Sequence, residues 1–427
     1  MTSRVARPRA AIVVTGSELV RGDRSDLNGP FLAREIVSLG LEPARITIVG
    51  DSPDELADAL AEGLRADLCV VSGGLGPTHD DRTVEMVARA AGASLHVDTQ
   101  LESRIETVSR MVAERLKRPY ADFAPGVRKQ ATLPEGATVI GLAGTAPGFV
   151  LEPGGAVVVV LPGPPGELQR LWPGALASRP VQGVLAAARP PGRRTLRFYG
   201  ASESTIAQAL HEAGGETEGM DVTICARDFE IHVDLLVEPE AEARADELSA
   251  ELRERVGRYL FSEHEAPVES IVLDLCRAHG MTLAAAESCT GGMVSERLTR
   301  VPSASDVFLG GIVAYANSVK EQELGVPRAL LERHGAVSPE TAEAMARGVR
   351  DRFEADVGVS VTGVAGPTGG SADKPVGLVY VHAETPAGGK GADFSYPADR
   401  DSIRRRAAVA ALHLVRRLVS QNRHEPV

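Results

Sequence analysis

The fold is decided by a stretch in which an apolar strand runs directly into a glycine-rich turn, Leu68-Cys69-Val70-Val71-Ser72-Gly73-Gly74-Leu75-Gly76-Pro77-Thr78-His79-Asp80-Asp81. Its first five residues are apolar or small, which is typical of a strand that is buried on both faces. After the turn, Val84, Val87 and Ala88 follow helical spacing. A buried strand joined through glycines to a helix is part of a βαβ unit, so the stretch predicts a parallel sheet.

The same alternation of strands and helices continues towards the amino terminus. Strands are predicted over residues 10–15 and 46–49, and helices over residues 28–39 and 53–64. On the other side, residues 149–151 and 157–161 are predicted to form a hairpin around Pro153-Gly154-Gly155. The expected fold class is therefore α/β with a doubly wound sheet, in which ligands bind beyond the carboxyl ends of the strands.

Changes in composition divide the 427 residues into three predicted domains, 1–172, 173–264 and 265–427. A segment rich in Pro, Gly and Ala begins near Trp172, and a second boundary is expected within residues 261–267. The middle domain is predicted to be a small β-α-β-β-α module, with strands over 195–199, 222–226 and 230–237 and helices over 202–213 and 240–259. The last domain is again α/β, with predicted strands at 283–286, 311–315, 357–361 and 377–381.

Composition limits the classes of function. The net charge of −12 and the 4% aromatic content argue against direct nucleic-acid binding, which requires basic surfaces and stacking side chains. The four cysteines form no CxxC pair, which disfavours zinc ribbons and fits a reducing compartment. The apolar run of residues 10–14 is too short for a signal or a membrane span, so we expect a cytoplasmic protein without membrane contact.

Lysine is scarce, and this makes each lysine informative. Only five of the 46 basic residues are lysines: Lys117, Lys129, Lys320, Lys374 and Lys390. Arginine supplies charge elsewhere, so a lysine inside a motif is expected where a proton must be lost, which arginine cannot do.

The glycine-rich turn of the first domain predicts an anion site. Backbone amides at Gly73, Gly74 and Gly76 can cradle a diphosphate, and the Asp80-Asp81 pair can hold a divalent cation that bridges phosphate oxygens. Glu18, which follows another strand, could bring a third carboxylate to this edge. The simpler alternatives are that the glycines only form the turn, that Asp80 caps a helix, and that Glu18 is a solvated loop residue. Asn28 is likewise more simply a helix N-cap.

The second motif, Glu287-Ser288-Cys289-Thr290-Gly291-Gly292, lies where a predicted strand turns into a helix. There the Ser288 hydroxyl is close to backbone amides that can form an oxyanion site, but a serine needs a base to become a nucleophile. Lys320, which follows another strand and Tyr315, can serve as that base if it is desolvated. The alternatives are that Ser288 is an N-cap, that Lys320 is a surface cation, or that Cys289 is the nucleophile or buried filler.

A third motif opens another predicted strand into glycines, Thr362-Gly363-Val364-Ala365-Gly366-Pro367-Thr368-Gly369-Gly370. Glycines would allow a ligand to approach the backbone closely. The alternative is a flexible loop between strands.

Together these motifs resemble the CinA, or competence/damage-inducible, family over essentially the whole chain. The first domain is similar to the molybdopterin-binding MoaB/MogA-like fold, and the middle module, with residues 200–204, is similar to a KH-like domain. The last domain, with residues 287–292, 315–320, 334–338 and 362–370, resembles the nicotinamide mononucleotide (NMN) deamidase domain. Residues 161–168 depart from the expected family pattern of Val-Pro-x-Glu-Met.

The resemblance implies catalytic roles in the last domain. Ser288 would be the nucleophile and Lys320 its general base, Tyr315 would assist proton transfer or position the substrate, and Thr362 would lie in the same pocket. Arg400 or Arg404 would meet the NMN phosphate, and further substrate contacts are expected at Glu287, Thr290, Gly291, Gly292, Asn317, Gly363 and Gly366. No cofactor is expected for this reaction.

The resemblance also implies that the first domain hydrolyses ADP-ribose with a divalent metal of the Mg, Mn or Co class. Gly73, Gly74, Gly76, Thr78 and Asn28 would bind the substrate, and Asp80, Asp81 and Glu18 would bind the metal. The expected protein is a bifunctional pyridine-nucleotide salvage enzyme and a homodimer. The alternatives are that only one domain is active, or that one is a nucleotide- or pterin-binding scaffold or a partner of competence proteins.

Overall fold

The structure is a computed structural model that describes residues 7–421. Contacts divide the chain into two compact units. Unit 1 contains the described residues up to Gly192 together with Val237–Glu240, and unit 2 contains Arg193–Leu236 and the described residues from Ala241 onward. The predicted domain limit at residue 172 lies inside a helix of unit 1 (Pro165–Ala177).

Unit 1 is built on a six-stranded sheet in the order β2-β1-β3-β8-β7-β6, with β4 and β5 forming a separate pair. Strands β1, β2, β3 and β8 are parallel, and β7 and β6 add an antiparallel edge. The bounds are β1 Arg9–Thr15, α1 Ser17–Val20, α2 Asn28–Ser38, β2 Glu42–Val49, α3 Pro53–Gly63, β3 Leu68–Ser72, α4 Thr83–Ala91, β4 Leu95–Val97, α5 Thr99–Leu116, α6 Ala124–Gln130, β5 Thr132–Pro134, β6 Thr138–Ala143, β7 Ala146–Leu151, β8 Val157–Leu161, α7 Pro165–Ala177 and α8 Arg179–Leu185.

Helices cover both faces of this sheet, because alternate strand residues point to opposite sides. Val13, Cys69 and Val71 pack in a core with Leu56 and Leu101 from α3 and α5. Their neighbours along the strands pack in a second core that contains residues of α2 and α7, among them Ile12, Val70, Leu32 and Leu168. The doubly wound prediction is confirmed, and so is the hairpin, since β7 pairs antiparallel with β8.

Unit 2 contains two sheets. The small module has the order β10-β11-β9-β12, and the larger sheet has the order β14-β13-β15-β16-β17, of which the first three strands are parallel. The bounds are β9 Gly192–Phe198, α9 Glu203–Glu212, β10 Met220–Arg227, β11 Glu230–Val237, α10 Glu242–Val256, β12 Leu260–Ser262, α11 Val268–Ala278, β13 Leu283–Glu287, α12 Met293–Thr299, β14 Phe308–Val313, α13 Asn317–Leu324, α14 Arg328–His334, α15 Pro339–Phe353, β15 Val357–Gly363, β16 Leu378–Thr385, β17 Gly388–Ser395 and α16 Arg400–Gln421.

Helix α16 connects the larger sheet to the module. Its residues Ile403, Leu412 and Val415 are fully buried in the core of the larger sheet. On the module side, His413 is fully buried and stacks on Tyr199, with ring centroids 3.7 Å apart. The Nε2 atom of His413 lies 2.8 Å from Oε1 of the buried Glu230 on β11, whose other oxygen accepts from Arg197. The module and the last domain therefore share a buried polar network.

Between residues 7 and 421, no helix is both long enough and apolar enough to cross a membrane.

Candidate active sites

The first candidate site, in unit 2, begins where β13 ends. Glu287 is the last strand residue, and the Ser288 amide donates to the Val361 carbonyl at 2.9 Å, which continues the strand by one hydrogen bond. Gly291 and Gly292 then have φ values of 60° and 100°, which favour glycine, and α12 begins at Met293. The turn thus follows from local sequence, and it places Ser288 at the carboxyl edge of the parallel strands.

Lys320 lies at the same edge and is only 1% exposed. Its Nζ atom donates to Ser288 Oγ at 3.1 Å, to the Ala314 carbonyl at 2.7 Å and to the Tyr315 carbonyl at 3.3 Å. Burial lowers its pKa, because a desolvated ammonium is disfavoured relative to the neutral amine. The alternative of a surface cation is therefore wrong, and a neutral Lys320 could take the Ser288 proton directly.

Glu287 holds the turn after Ser288 in place. Its Oε2 atom accepts hydrogen bonds from the amides of Gly292 and Val294, each at 3.0 Å, and its Oε1 atom accepts from the amide and hydroxyl of Ser295 at 2.9 and 2.7 Å. Both oxygens are thus engaged by the start of α12. This carboxylate shapes the turn, whereas the resemblance had implied a contact with substrate.

The two arginines of α16 differ in their surroundings. Arg404 donates to the carbonyls of Cys289 and Thr290 at 3.1 and 2.8 Å, which fixes the turn just after Ser288. Arg400 donates to the Gly366 carbonyl at 2.6 Å and to the Tyr315 hydroxyl at 2.9 Å. Arg400 and Tyr315 are both exposed at the mouth of the site, so Arg400 is the better placed of the two to meet a phosphate.

The third motif and Lys374, which follows it, are tied to the end of α14 and the loop after it. The Thr362 hydroxyl donates to the Ala336 carbonyl at 2.6 Å, and Lys374 Nζ donates to the His334 carbonyl at 2.6 Å. Sequence reasoning assigned no role to Lys374, although its rarity was a usable signal. Gly363 is required by packing, since a Cβ there would lie 2.7 Å from the Leu378 carbonyl oxygen.

The other residues predicted for this site differ in their exposure and in their hydrogen bonds. Thr290 is fully buried, and its hydroxyl has no hydrogen-bond partner among the residues that the structure describes. Asn317 is the first residue of α13 and is exposed, and Gly366 has a φ of 71°. Cys289 is buried, and burial raises the pKa of its thiol to about 12. A thiol that stays protonated is a poor nucleophile, so Ser288 is favoured over Cys289.

The second candidate site is a cavity of about 440 Å³ in unit 1, at the carboxyl ends of β1, β3 and β8. The predicted residues Glu18, Asn28, Gly73, Gly74, Asp80 and Asp81 all line it. The alternative of an N-cap is wrong, because Asn28 is the first residue of α2 and Leu27 occupies the N-cap position. Asn28 donates to Ser72 Oγ at 2.9 Å and to the Gly163 carbonyl at 2.7 Å, and so ties α2 to two strand ends.

The acidic residues of this cavity are largely held by the backbone. Asp81 accepts from the Thr78 amide and hydroxyl at 3.0 and 2.5 Å, which shapes the turn around Gly76. Asp26 and Asp51, which sequence reasoning missed, also line the cavity and accept from the amides of Asn28 and Ser17.

A divalent cation finds no ready-made ligand set in this cavity. Over residues 7–421, no group of three or more His, Cys, Asp or Glu side chains is arranged to hold a metal ion. Glu18, Asp80 and Asp81 share the cavity wall without forming such a cluster. Their assignment as metal ligands stays a prediction.

All three parts of the chain match models of known protein families. Residues 11–179 match the family model described as "Probable molybdopterin binding domain", residues 193–262 match "Damage-inducible protein CinA KH domain", and residues 265–419 match "CinA C-terminal domain". A "CinA-like protein" of Mycolicibacterium paratuberculosis is 41% identical, with 96% of this chain and 98% of that protein covered. The chain belongs to the CinA family. The predicted resemblance is confirmed.

Two solved structures that are similar to this CinA-family chain each cover about two fifths of it. A competence/damage inducible protein from Agrobacterium tumefaciens is 36% identical and covers 38% of this chain and 100% of that chain, with a TM-score of 0.35. A structure of MogA is 20% identical and covers 41% of this chain and 99% of that chain, with a TM-score of 0.28. The predicted fold class, a MoaB/MogA-like sheet with a KH-like module and an α/β CinA domain, is confirmed.

Proposed function

We propose that unit 2 is an amidase that hydrolyses the carboxamide of NMN to nicotinic acid mononucleotide and ammonia. The observation that carries this proposal is the buried amine of Lys320, 3.1 Å from the hydroxyl of Ser288. A serine hydroxyl becomes a nucleophile when an adjacent general base removes its proton. A buried, neutral lysine next to a serine can act as that base.

The reaction would proceed in two balanced steps. Neutral Lys320 accepts the hydroxyl proton while Ser288 Oγ bonds to the amide carbon, and the proton then passes to the departing nitrogen, which leaves as ammonia. Water next attacks the acyl-serine ester and gives its proton to Lys320, which returns it to Ser288 Oγ as the carboxylic acid is released. Tyr315, whose hydroxyl accepts from Arg400, would orient the substrate at the mouth.

The substrate phosphate would meet Arg400. Its guanidinium has five N–H donors in a fixed fork, which matches the oxygens of a phosphate. Arg404 would act differently, since it is half-buried and donates to the two carbonyls of the turn after Ser288, whereas Arg400 is exposed. We therefore assign substrate binding to Arg400 and positioning of Ser288 to Arg404.

Ammonia release from NMN tests this proposal. Wild type should turn over without added metal, and Ser288→Ala and Lys320→Ala should each lose at least a hundredfold in kcat/KM. Lys390→Met is the matched control, because Lys390 is an exposed lysine on β17, and it should retain full activity. An inactive wild type would refute the substrate, and a fully active Lys320→Ala would refute the base.

For unit 1 we propose hydrolysis of the diphosphate of ADP-ribose to AMP and ribose 5-phosphate. Water would attack one phosphorus, and the bond from that phosphorus to the bridging oxygen would break. The support is the cavity at the carboxyl ends of the strands, lined by Gly73, Gly74 and Asn28, because such turns bind phosphate groups. Release of AMP with and without Mg²⁺ or Mn²⁺ tests both the activity and the proposed need for a metal.

Two narrower proposals are distinguished by the same assays. If only one substrate is consumed, one unit is an enzyme and the other a scaffold that binds a nucleotide or a pterin. If neither is consumed, a role in binding competence proteins becomes the leading proposal. A homodimer is also proposed, and the molar mass of the full chain in solution tests it.

A further inference from the structure

The β10–β11 hairpin of the small module ends in a strained turn. Its two turn residues, Asp228 and Phe229, have φ values of 49° and 64°, a left-handed conformation that is costly for side chains other than glycine. Two-residue hairpin turns of this kind prefer Asn or Asp followed by glycine, so Phe229 stands where glycine would be favoured. Such strain persists only where the surrounding structure holds the residue, so the contacts of Phe229 decide the conformation of this turn.

The Phe229 side chain contacts the last domain. Its ring meets Tyr396 edge to face, with centroids 5.9 Å apart and planes at 84°. The guanidinium of Arg406 covers both rings, 5.8 Å from the centroid of Phe229 and 4.3 Å from that of Tyr396. All three side chains are half-buried, so these aromatic and cation–π contacts are partly shielded from water. The hairpin tip, which is Asp228 and Phe229, is therefore docked on α16 and on the segment that follows β17.

Helix α16 connects this contact to the turn after Ser288. Arg406 is two residues from Arg404, and residues two apart do not share a face of a helix. Arg404 donates to two carbonyls of that turn, while Arg406 covers the ring of Phe229. The start of α16 is thus held between the turn after Ser288 and the hairpin tip.

Tyr396 connects the hairpin tip to the third motif. Its amide donates to the Gly377 carbonyl at 3.1 Å, where the loop of residues 364–377 ends. Within this loop the Gly366 carbonyl accepts from Arg400, the residue proposed to meet the substrate phosphate. Displacement of Tyr396 would therefore shift the end of this loop and the guanidinium of Arg400 that is bonded to it.

We propose that the hairpin tip is a positioning element of the amidase, in which Phe229 keeps Arg400 in place for the substrate phosphate. This inference rests on the proposed hydrolysis of NMN for its reaction. It adds a role for the small module, which contributes no residue to the candidate site itself. The strain in the turn then follows from placing an aromatic ring where the hairpin alone would favour glycine.

Phe229→Gly tests the inference, because it removes the ring and supplies the residue that the turn prefers, so folding should be retained. We expect the KM for NMN to rise about fivefold and kcat to change less than twofold, since the effect reaches Arg400 and not Ser288. A merely structural role would lower the active fraction, and hence the apparent kcat, without moving KM. Phe229→Tyr retains the ring and should keep the KM of wild type.

Phe123→Gly is the matched control. Phe123 is a half-buried residue of unit 1, and an arginine guanidinium also lies 5.8 Å from its ring centroid, so its loss should change neither constant. In an Arg400→Gln background, Phe229→Gly should raise KM by less than about twofold, because both changes act through the same guanidinium. An equal effect in the two backgrounds, or an unchanged KM in Phe229→Gly, would overturn the positioning role.

Hydrogen exchange of backbone amides separates this inference from the proposed activity. Phe229→Gly should raise exchange about threefold in peptides that cover residues 364–377 and leave peptides of β13 unchanged, whatever the substrate. If wild type releases ammonia from NMN, KM decides the inference as described above. If wild type releases none, the proposed activity fails and exchange decides: a rise confined to this loop supports the positioning role, and unchanged exchange overturns it.

Discussion

The buried network around His413 leads to a prediction about acid stability. His413 is fully buried, its Nε2 atom faces Glu230 Oε1 at 2.8 Å, and its Nδ1 atom accepts from Arg416 Nε at 3.3 Å. An imidazole that donates at one nitrogen and accepts at the other is neutral. Protonation would place an N–H against the Arg416 donor, so His413 is expected to resist taking up a proton while unit 2 is folded.

The sign and the size of the effect follow from the pKa of His413. Burial is the largest cause and lowers this pKa to about 4, while the hydrogen bond and charge of Glu230 oppose the shift. The unfolded chain, with an ordinary histidine pKa near 6.5, therefore binds the proton first as the pH falls. Each unit of pH below that value costs about 1.4 kcal/mol of unfolding free energy, or about 2 kcal/mol between pH 6.5 and 5.

Glu230 does not interfere in this range of pH. Burial alone would raise the pKa of its carboxyl, but hydrogen bonds from His232 and His413 and the charge of Arg197 bring it down to about 2. The stabilisation that Glu230 provides is complete above the unfolded pKa of a glutamate, near 4.5, and is lost only as the pH falls towards 2. Glu230 therefore contributes little to the change in stability between pH 7.5 and pH 5.

The assay is urea unfolding followed by circular dichroism at pH 7.5 and pH 5, for wild type and His413→Gln. Glutamine can still donate and accept but does not titrate, so His413→Gln should lose about 2 kcal/mol less than wild type on acidification. His264→Gln, at an exposed histidine of unit 2, is the control and should behave as wild type. Equal losses in wild type and His413→Gln would refute a neutral, acid-sensitive His413.

Three further predictions concern single side chains. Gly74→Ala should destabilise unit 1 by at least about 1 kcal/mol more than Gly154→Ala in urea unfolding followed by Trp172 fluorescence, since both glycines have positive φ but only Gly74 is crowded. Arg404→Lys should lower kcat for ammonia release about tenfold with little change in KM, whereas Arg400→Gln should mainly raise KM. The kcat/KM of wild type should rise with pH along a limb below the ordinary lysine range, because the pKa of Lys320 is lowered, and Lys320→Arg should abolish activity at every pH.

Local patterns predicted the strand-to-turn junctions correctly. An apolar run that ends in glycines gives the same signal whatever packs around it, so the sequence alone predicts that Ser72, Ser288 and Thr362 lie at strand ends, as they do in the structure. Strand β17 escaped prediction because its sequence, GGKGADFS, is exposed and has no apolar alternation. Helix α16 was also missed, although it is the longest helix of the described chain.

Functional distances could not be obtained from these patterns. Ser288 and Lys320 are 32 residues apart, and only the parallel pairing of β13 with β14 brings the ends of both strands to one edge. The roles of Glu287, Arg400 and Arg404 likewise depend on their hydrogen-bond partners. The sequence does not show which groups a carboxylate or a guanidinium will contact.

The sequence by itself determined the α/β class, the glycine turns and the rarity of lysine, because these depend on residue type and near neighbours. Only the tertiary structure decided that Lys320 is buried and that Arg404 holds the turn after Ser288. Burial and hydrogen-bond geometry arise from segments far apart in the chain. They set the pKa of a group and the side chains it can reach, and so they determine its chemistry.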